Sequence, residues 1–280
     1  MKTVRILLLG IFLVLAGCSA AEKGNVGPNH DPDAQDQRML SEPGRTSDLL
    51  DGKESEVRDP QPLTLAELRS KYRSTFILSG PAAKREVALT FDDAPDAAYT
   101  PQVLDVLKKY GVKATFFVMG SRAEAHPDLV RRMVREGHVV GNHSYNHPNL
   151  VKLSDADFRD QVLRTEQIIR ELAGYTPALF RAPYGNINEE QIKWLASQHV
   201  KIIGWNVDSL DWKGLDGEQV AANVLAHAGP GSIILQHSAG GEGEDLSGTV
   251  QALPAIIEKL RAEGIQLVTV PELLGLSAQK

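Results

Sequence analysis

The sequence predicts an α/β fold built on a parallel sheet. From about Lys84 onward, short apolar runs alternate with amphipathic helical patterns, the signature of repeated strand–helix units. The residues able to do chemistry all fall just after predicted strands, where such sheets bind ligands. With 280 residues the chain is long enough for one large domain plus appendages.

The elements follow in order. Lys2 and Arg5 precede an apolar run from Ile6 to Ala16, which ends in Leu15-Ala16-Gly17-Cys18. A basic start, a short apolar core and small residues read as a secretion signal over 1–17, too short for a comfortable membrane span. Cys18 is the only cysteine, so no intrachain disulfide can form. Residues 18–62 are rich in Gly, Pro, Asp, Ser and Glu and read as a flexible tether. A short helical or edge segment is expected over 63–83, with a helix from Leu63 to Phe76, and the main domain over 84–280.

Strands are expected at Val87–Phe91, Ala114–Val118, Val139–Asn142, Ile202–Val207, Ser232–Leu235 and Gln266–Thr269, with a seventh near Leu179–Arg181. A helix is expected to start at Ser154, with Asp157 three residues on as a capping pair. Its Phe158, Val162, Thr165, Ile169 and Leu172 share one face. Another is expected to start at Asn188, with Gln191 in the same relation. Periodicity does not separate an open sheet from a closed barrel.

The net charge of −6 argues against a nucleic-acid partner, whose phosphates call for a basic face. Two segments suggest a metal site. Thr90-Phe91-Asp92-Asp93 places adjacent carboxylates at the end of an apolar run, and His143-Ser144-Tyr145-Asn146-His147 places imidazoles four apart. Two His and one carboxylate are a usual set for a hydrolytic zinc, and a second carboxylate can then serve as base. Neighbouring side chains in a strand point opposite ways, so both acids reach one site only if the chain turns there, which Pro95 would help. The histidine spacing suits one face of a short helical turn. Taken alone, Asp92-Asp93 also reads as a solvated turn, and His143 with His147 as a surface pair. Arg181-Ala182-Pro183-Tyr184 also reads as a loop with a surface Arg, Asp208-Ser209-Leu210-Asp211-Trp212 as a turn with a capping ring, and His237 as a core histidine.

In this order the five segments resemble the motifs of one family, the NodB-type polysaccharide deacetylases of carbohydrate esterase family 4. Thr90-Phe91-Asp92-Asp93-Ala94-Pro95 is similar to Thr-Phe-Asp-Asp-Gly-Pro, and His143 to His147 to His-Ser/Thr-x-x-His. Arg181 to Tyr184, Asp208 to Trp212, and Leu235-Gln236-His237 are similar to the remaining three. The resemblance spans roughly Val87 to Thr269. It implies a deformed (β/α) barrel of about seven parallel strands. It implies one divalent metal ion, zinc first and Co2+, Ni2+ or Mn2+ otherwise, on Asp93, His143 and His147. Asp92 would be the base, oriented by Arg181, and His237 the acid, tuned by Asp211. A backbone N–H near Tyr184 would help hold the oxyanion, and Trp212 and Leu235 would wall an acetyl pocket.

The implied activity is removal of N-acetyl groups from a GlcNAc-containing polysaccharide, peptidoglycan first and chitin-type oligosaccharide second. An O-acetyl esterase of xylan type and a catalytically silent sugar-binding lipoprotein are the alternatives. Leu15-Ala16-Gly17-Cys18 resembles the bacterial lipobox, which implies a lipid on Cys18 and anchorage on the extracytoplasmic face of the cell membrane. No protein partner is implied. One departure is Ala94 where the family has Gly: if that position needs positive φ, Ala94 would strain the loop or shift Asp93.

Overall fold

The structure, a computed structural model, describes Leu50 and residues 62–280. The expected signal segment, Cys18 and the expected tether lie outside the described residues, apart from Leu50 and Pro62. Leu50 donates its N–H to the Asn146 carbonyl at 3.2 Å. Among the described residues no helix is long and apolar enough to cross a membrane.

Helix α1 (Pro62–Lys71) ends earlier than expected. The Tyr72 carbonyl accepts from both Thr75 and Phe76 N–H groups, closing a turn. Phe76 then opens strand β1 (Phe76–Ile77), where its ring is buried rather than solvated. The central strand is β2 (Glu86–Ala94), with every residue from Val87 to Ala94 buried. A strand covered on both faces reads as a continuous apolar run rather than an alternation.

The other strands are β3 (Thr115–Val118), β4 (Val139–Asn142), β5 (Leu179–Phe180), β6 (Lys201–Ile203), β7 (Val207–Asp208), β8 (Ile233–His237) and β9 (Gln266–Val268). Their order is β1-β6-β5-β4-β3-β2-β8-β7, with β9 beside the start of β2, and every strand pairing is parallel. Among the described residues nine strands therefore stand where about seven were expected. One addition is β1. The other arises because the expected strand Ile202–Val207 is split into β6 and β7.

That split curls the sheet. β6 and β7 are separated by only Gly204, Trp205 and Asn206, yet stand toward opposite ends of the strand order. The two ends must therefore meet, as in an incompletely closed barrel. Gly204 permits the corner, since a Cβ there would lie 2.4 Å from Leu78 Cδ2. Asn206 replaces the missing ladder: its N–H donates to the Ile233 carbonyl at 3.2 Å and its Oδ1 accepts from Ile233 N–H at 2.8 Å. Gly80 N–H to the Gly231 carbonyl at 2.8 Å brings the β1 end beside β8.

Helices α2 (Thr100–Tyr110), α3 (Gly120–Ala125), α4 (Pro127–Arg135), α5 (Asp155–Ala173), α6 (Glu189–Ser197), α7 (Gly217–His227), α8 (Ser247–Ala262) and α9 (Val270–Leu274) complete the fold. Both expected caps are present. Ser154 Oγ accepts from Asp157 N–H at 3.2 Å, and Asn188 and Gln191 exchange side-chain and backbone bonds at 3.0 and 3.1 Å. Phe158, Val162, Thr165, Ile168 and Ile169 are the buried face of α5, with Leu172 half-buried at its end. The largest apolar cluster lies against α2 and α8, around Phe91 and Phe116, whose rings stack at 5.1 Å.

His138 belongs to this framework rather than to the chemistry. Its Nδ1 accepts from Ala114 N–H at 3.1 Å and its ring stands edge-on to Phe116 at 5.3 Å. Burial, with Lys113 close by, pushes it down to about 4. The unfolded chain protonates this imidazole near pH 6.5 while the folded chain keeps it neutral. Its contribution is therefore intact above that pH and lost as pH falls toward 4, by about 3 kcal/mol in all. Denaturant midpoints measured between pH 7 and 4 are expected to fall less steeply for His138→Gln than for the unaltered chain. Equal slopes would remove His138 from the acid response.

Candidate active site

The sheet gathers the chemistry at one edge. Asp92 and His237 are register partners on β2 and β8, so they emerge side by side at the carboxyl ends of adjacent strands. The loops after β4, β5 and β7 bring His143 with His147, Arg181 and Asp211 to the same end.

Asp93 itself makes the turn that lets both acids face one pocket. Its φ is 63°, and the β2–β3 register slips between Phe91 and Ala94. A bulge of this kind re-aims a side chain that strict alternation would send to the other face. The left-handed residue is thus Asp93 and not Ala94, which stays in β2 and pairs with Val118. Ala in place of the family's Gly carries no left-handed strain here. Pro95 follows the turn rather than forming it.

The histidine segment is not the expected helical turn. It is a loop with positive φ at Ser144 (66°) and His147 (63°). Short polar side chains hold it. Asn142 Oδ1 accepts from Ser144 N–H at 2.9 Å, and Ser144 Oγ accepts from His147 N–H at 3.1 Å. Gln161 Oε1 accepts from Tyr145 and Asn146 N–H groups at 2.9 and 3.2 Å. These bonds replace the ladder that a helix would supply.

The loop brings His143 Nε2 and His147 Nε2 each to 3.4 Å from Asp93 Oδ1. Ligands about 2.0–2.2 Å from a tetrahedral zinc stand roughly 3.3–3.6 Å from one another, so the donors fit such an ion. Asp93 Oδ1 and His143 Nε2 are buried and lack the alignment of a hydrogen bond, as atoms converging on a common ligand do. His143 Nδ1 lies 2.8 Å from the Arg181 carbonyl, which sets the tautomer with Nε2 free to ligate. Burial pushes His147 down to about 3, which keeps it neutral. Burial opposes the charge on Asp93, but His147 and His143 reverse this and hold it well below the usual carboxylate range. Burial likewise opposes a proton on His143, yet Asp92 and Asp93 raise it; the same carboxylates favour a metal cation there.

Two further pairs flank these donors. Arg181, fully buried, donates to Asp92 Oδ1 at 2.8 Å and is fixed by the Ile203 and Gly204 carbonyls at 2.9 and 3.1 Å. Asp92 Oδ2 is 3.8 Å from His143 Nε2. His237 Nδ1 lies 2.7 Å from Asp211 Oδ1, and the other Asp211 oxygen accepts from His237 N–H and Thr249 Oγ1–H, each at 2.7 Å. Burial opposes ionisation of Asp211, but His237 outweighs it and lowers the carboxyl.

The remaining expected residues are also at this end. Tyr184, with φ 56°, sets its ring edge-on to His147 at 4.4 Å and reaches the His147 carbonyl at 3.3 Å. Leu235 is buried on β8 two residues before His237. Trp212 is half-buried, its indole N–H 3.4 Å from Asp208 Oδ1. Asp208 also accepts from Leu210 N–H at 3.0 Å, so it is the turn residue of this loop, while Asp211 serves His237.

The polysaccharide deacetylase family profile matches residues 79–203. A peptidoglycan-N-acetylglucosamine deacetylase of Bacillus cereus is 48% identical over 210 residues, covering 75% of this chain and 75% of its own length. The chain belongs to the polysaccharide deacetylase family. A chitooligosaccharide deacetylase of Bradyrhizobium is 38% identical over 198 residues, covering 68% of this chain and 90% of its own length. The crystal structure of a peptidoglycan N-acetylglucosamine deacetylase in complex with a naphthyl N-hydroxybenzamide superposes with a TM-score of 0.74. It is 46% identical and covers 78% of this chain and 100% of that one. The family's curled parallel half-barrel is thus the fold observed here.

Several residues that serve this family site escape sequence reasoning. Asn142, Gln161 and Thr249 shape it through ordinary-looking polar side chains. Thr90 accepts from Arg181 Nη1 at 2.8 Å and so helps aim the guanidinium. Arg122, buried beside Asp93, follows Ser121 in a polar stretch that reads as a solvated helix start. The one available signal was position: Arg122 lies four residues past the end of β3, on the site's side of the sheet.

Proposed function

We propose that this chain hydrolyses N-acetyl groups from a GlcNAc-containing polysaccharide, with peptidoglycan as the first substrate and chitin-type oligosaccharide as the second. The observation that carries the reading is the separation of roles around one point. One carboxylate and two imidazoles, from Asp93, His143 and His147, bring their donor atoms within 4.8 Å of one another, while a second carboxylate and a third imidazole are each held by a dedicated partner. The named activities of the relatives support the substrate class.

Asp93, His143 and His147 would hold a divalent ion, with zinc the first choice for this donor set. When bound, such an ion supplies Lewis acidity to the acetamide carbonyl and acidifies a water molecule. Asp92, kept in place by Arg181, takes the proton from the attacking water as its oxygen bonds to the carbonyl carbon. His237 holds Nδ1 toward Asp211, so Nε2 delivers the proton that lets the C–N bond break. Acetate and a free amine result. An amine is a poor leaving group unless protonated, which is why an amidase needs this acid. Leu235, Trp212 and Tyr184 would wall the acetyl pocket, which needs room for little beyond a methyl group.

The decisive experiment is acetate release from purified peptidoglycan and from chitooligosaccharide, with chelator and with restored zinc. Release is expected only with metal, and His143→Ala is expected to abolish zinc binding and release together. Undiminished release from chelated protein would sink the metal reading. A preference for O-acetylated xylan would replace the amidase by an esterase.

We further propose that the chain is anchored through a lipid on Cys18 on the extracytoplasmic face, which would place the site within reach of the wall. The support is Leu15-Ala16-Gly17-Cys18 after a basic and apolar start. Cys18→Ser is expected to shift the protein from the membrane fraction to the soluble one; retention at the membrane would refute the anchor.

A further inference from the structure

We propose that Arg122 is a positioning residue that clasps the Asp93 turn to the loop after His237 and so sets metal affinity. The proposal rests on the reading of Asp93, His143 and His147 as metal ligands. Arg122 is fully buried, and a buried guanidinium is costly unless its donors are used. Its Nη1 donates to the Asp93 carbonyl at 2.8 Å and its Nη2 to the Gly240 carbonyl at 2.6 Å. One planar fork thus joins two loops that are over 140 residues apart in sequence.

The segment carrying Arg122 is held to the third site loop by backbone bonds. Gly120 and Ser121 N–H groups donate to the Ser144 and Tyr145 carbonyls at 3.0 and 2.9 Å, inside the histidine loop. Met119 N–H donates to the Ala94 carbonyl at 3.0 Å, just past Asp93. The approach is close: a Cβ on Gly120 would lie 2.6 Å from Thr165 Oγ1 and 2.7 Å from Tyr145 Cδ2. Residues 119–122 therefore touch the Asp93 turn, the histidine loop and the loop after β8 at once.

A left-handed Asp persists only where its surroundings over-determine it, since such backbone costs on the order of 1–3 kcal/mol. Arg122 supplies part of that constraint by fixing the carbonyl of Asp93 itself. Its charge acts the other way, because a nearby cation repels a second one. Position and charge therefore predict opposite effects on metal affinity, and two substitutions separate them. Arg122→Lys keeps the charge but cannot span both carbonyls. Arg122→Gln removes the charge and keeps one short donor.

The test is zinc affinity of the metal-stripped full chain by chelator competition. Thermal unfolding of the metal-free protein is measured in parallel, with kcat and KM on chitooligosaccharide at saturating zinc. Both variants are expected to bind zinc about 10–100-fold more weakly, the usual effect of losing a group that orients a ligand. At saturating zinc any remaining loss is expected in kcat with KM little changed, because Arg122 is fully buried. Arg122→Lys zinc affinity within threefold of the unaltered chain, or tighter binding by Arg122→Gln, would overturn the clasp. So would a lower unfolding temperature with unchanged zinc affinity, which marks a purely structural role. If Arg122→Gln yields no folded protein, Arg122→Lys decides alone. An unaltered chain that binds no zinc overturns the metal reading and the clasp together, whereas normal zinc binding with an unaffected Arg122→Lys overturns the clasp alone.

Discussion

Asp92→Asn is expected to retain bound zinc while acetate release falls on the order of 10²- to 10⁴-fold, the range a general base supplies. The substitution keeps the side chain's volume and one acceptor for Arg181 Nη1, now 2.8 Å from Asp92 Oδ1. It removes the charge that takes the proton. Asp93, His143 and His147 are untouched, so stoichiometric zinc should remain. The geometry makes this a real test, because Asp92 Oδ2 stands only 3.8 Å from His143 Nε2. Loss of zinc in parallel with activity would make Asp92 a ligand instead of a base.

His237→Ala is expected to impair amide cleavage far more than cleavage of an activated acetate ester. The amine must leave protonated, whereas an activated alkoxide needs no proton. Equal losses on both substrates would return His237 to the core. The partner residue gives a second readout through the pH profile, which should be bell-shaped for one base and one acid. The Asp211 carboxylate, 2.7 Å from His237 Nδ1, is a partner that favours an imidazolium. Activity is lost on the alkaline side when that proton leaves. Asp211→Asn weakens the hold, so the alkaline limb should move to lower pH. An unmoved limb would assign it to another group.

Much of the site was legible because it lies at strand ends, and strands are legible from apolar runs. Val87–Phe91 and Ile233–Leu235 announce β2 and β8, and Asp92 and His237 follow at once. Capping pairs such as Asn188 with Gln191 are local and therefore readable. Features that depend on distant partners were not. Nothing in Asp, Ser or His types demands positive φ, so the Asp93 bulge and the Ser144 and His147 conformations are imposed by surrounding bonds. The spacing of His143 and His147 suited a helix, but Asn142, Ser144 and Gln161 outbid the helical ladder with side-chain acceptors. The break between β6 and β7 is set by how the whole sheet closes, which no local window contains. Arg122 was invisible because a single Arg in a polar stretch is usually solvated.

The adjacency of β2 and β8 has a consequence for how the molecule comes into being. Asp92 meets His237 across a pairing that spans about 145 positions of chain, whereas β3, on the other side of β2, returns after a single helix, α2. Loop-closure entropy makes such distant pairings late events. Made from its N-terminus, the chain carries Asp92, Asp93, His143, His147 and Arg181 well before Asp211 and His237 exist. A nascent chain halted after β6 therefore carries the proposed metal ligands without the proposed proton donor. Catalytic competence should appear only when the segment carrying β7 and β8 docks, late in refolding.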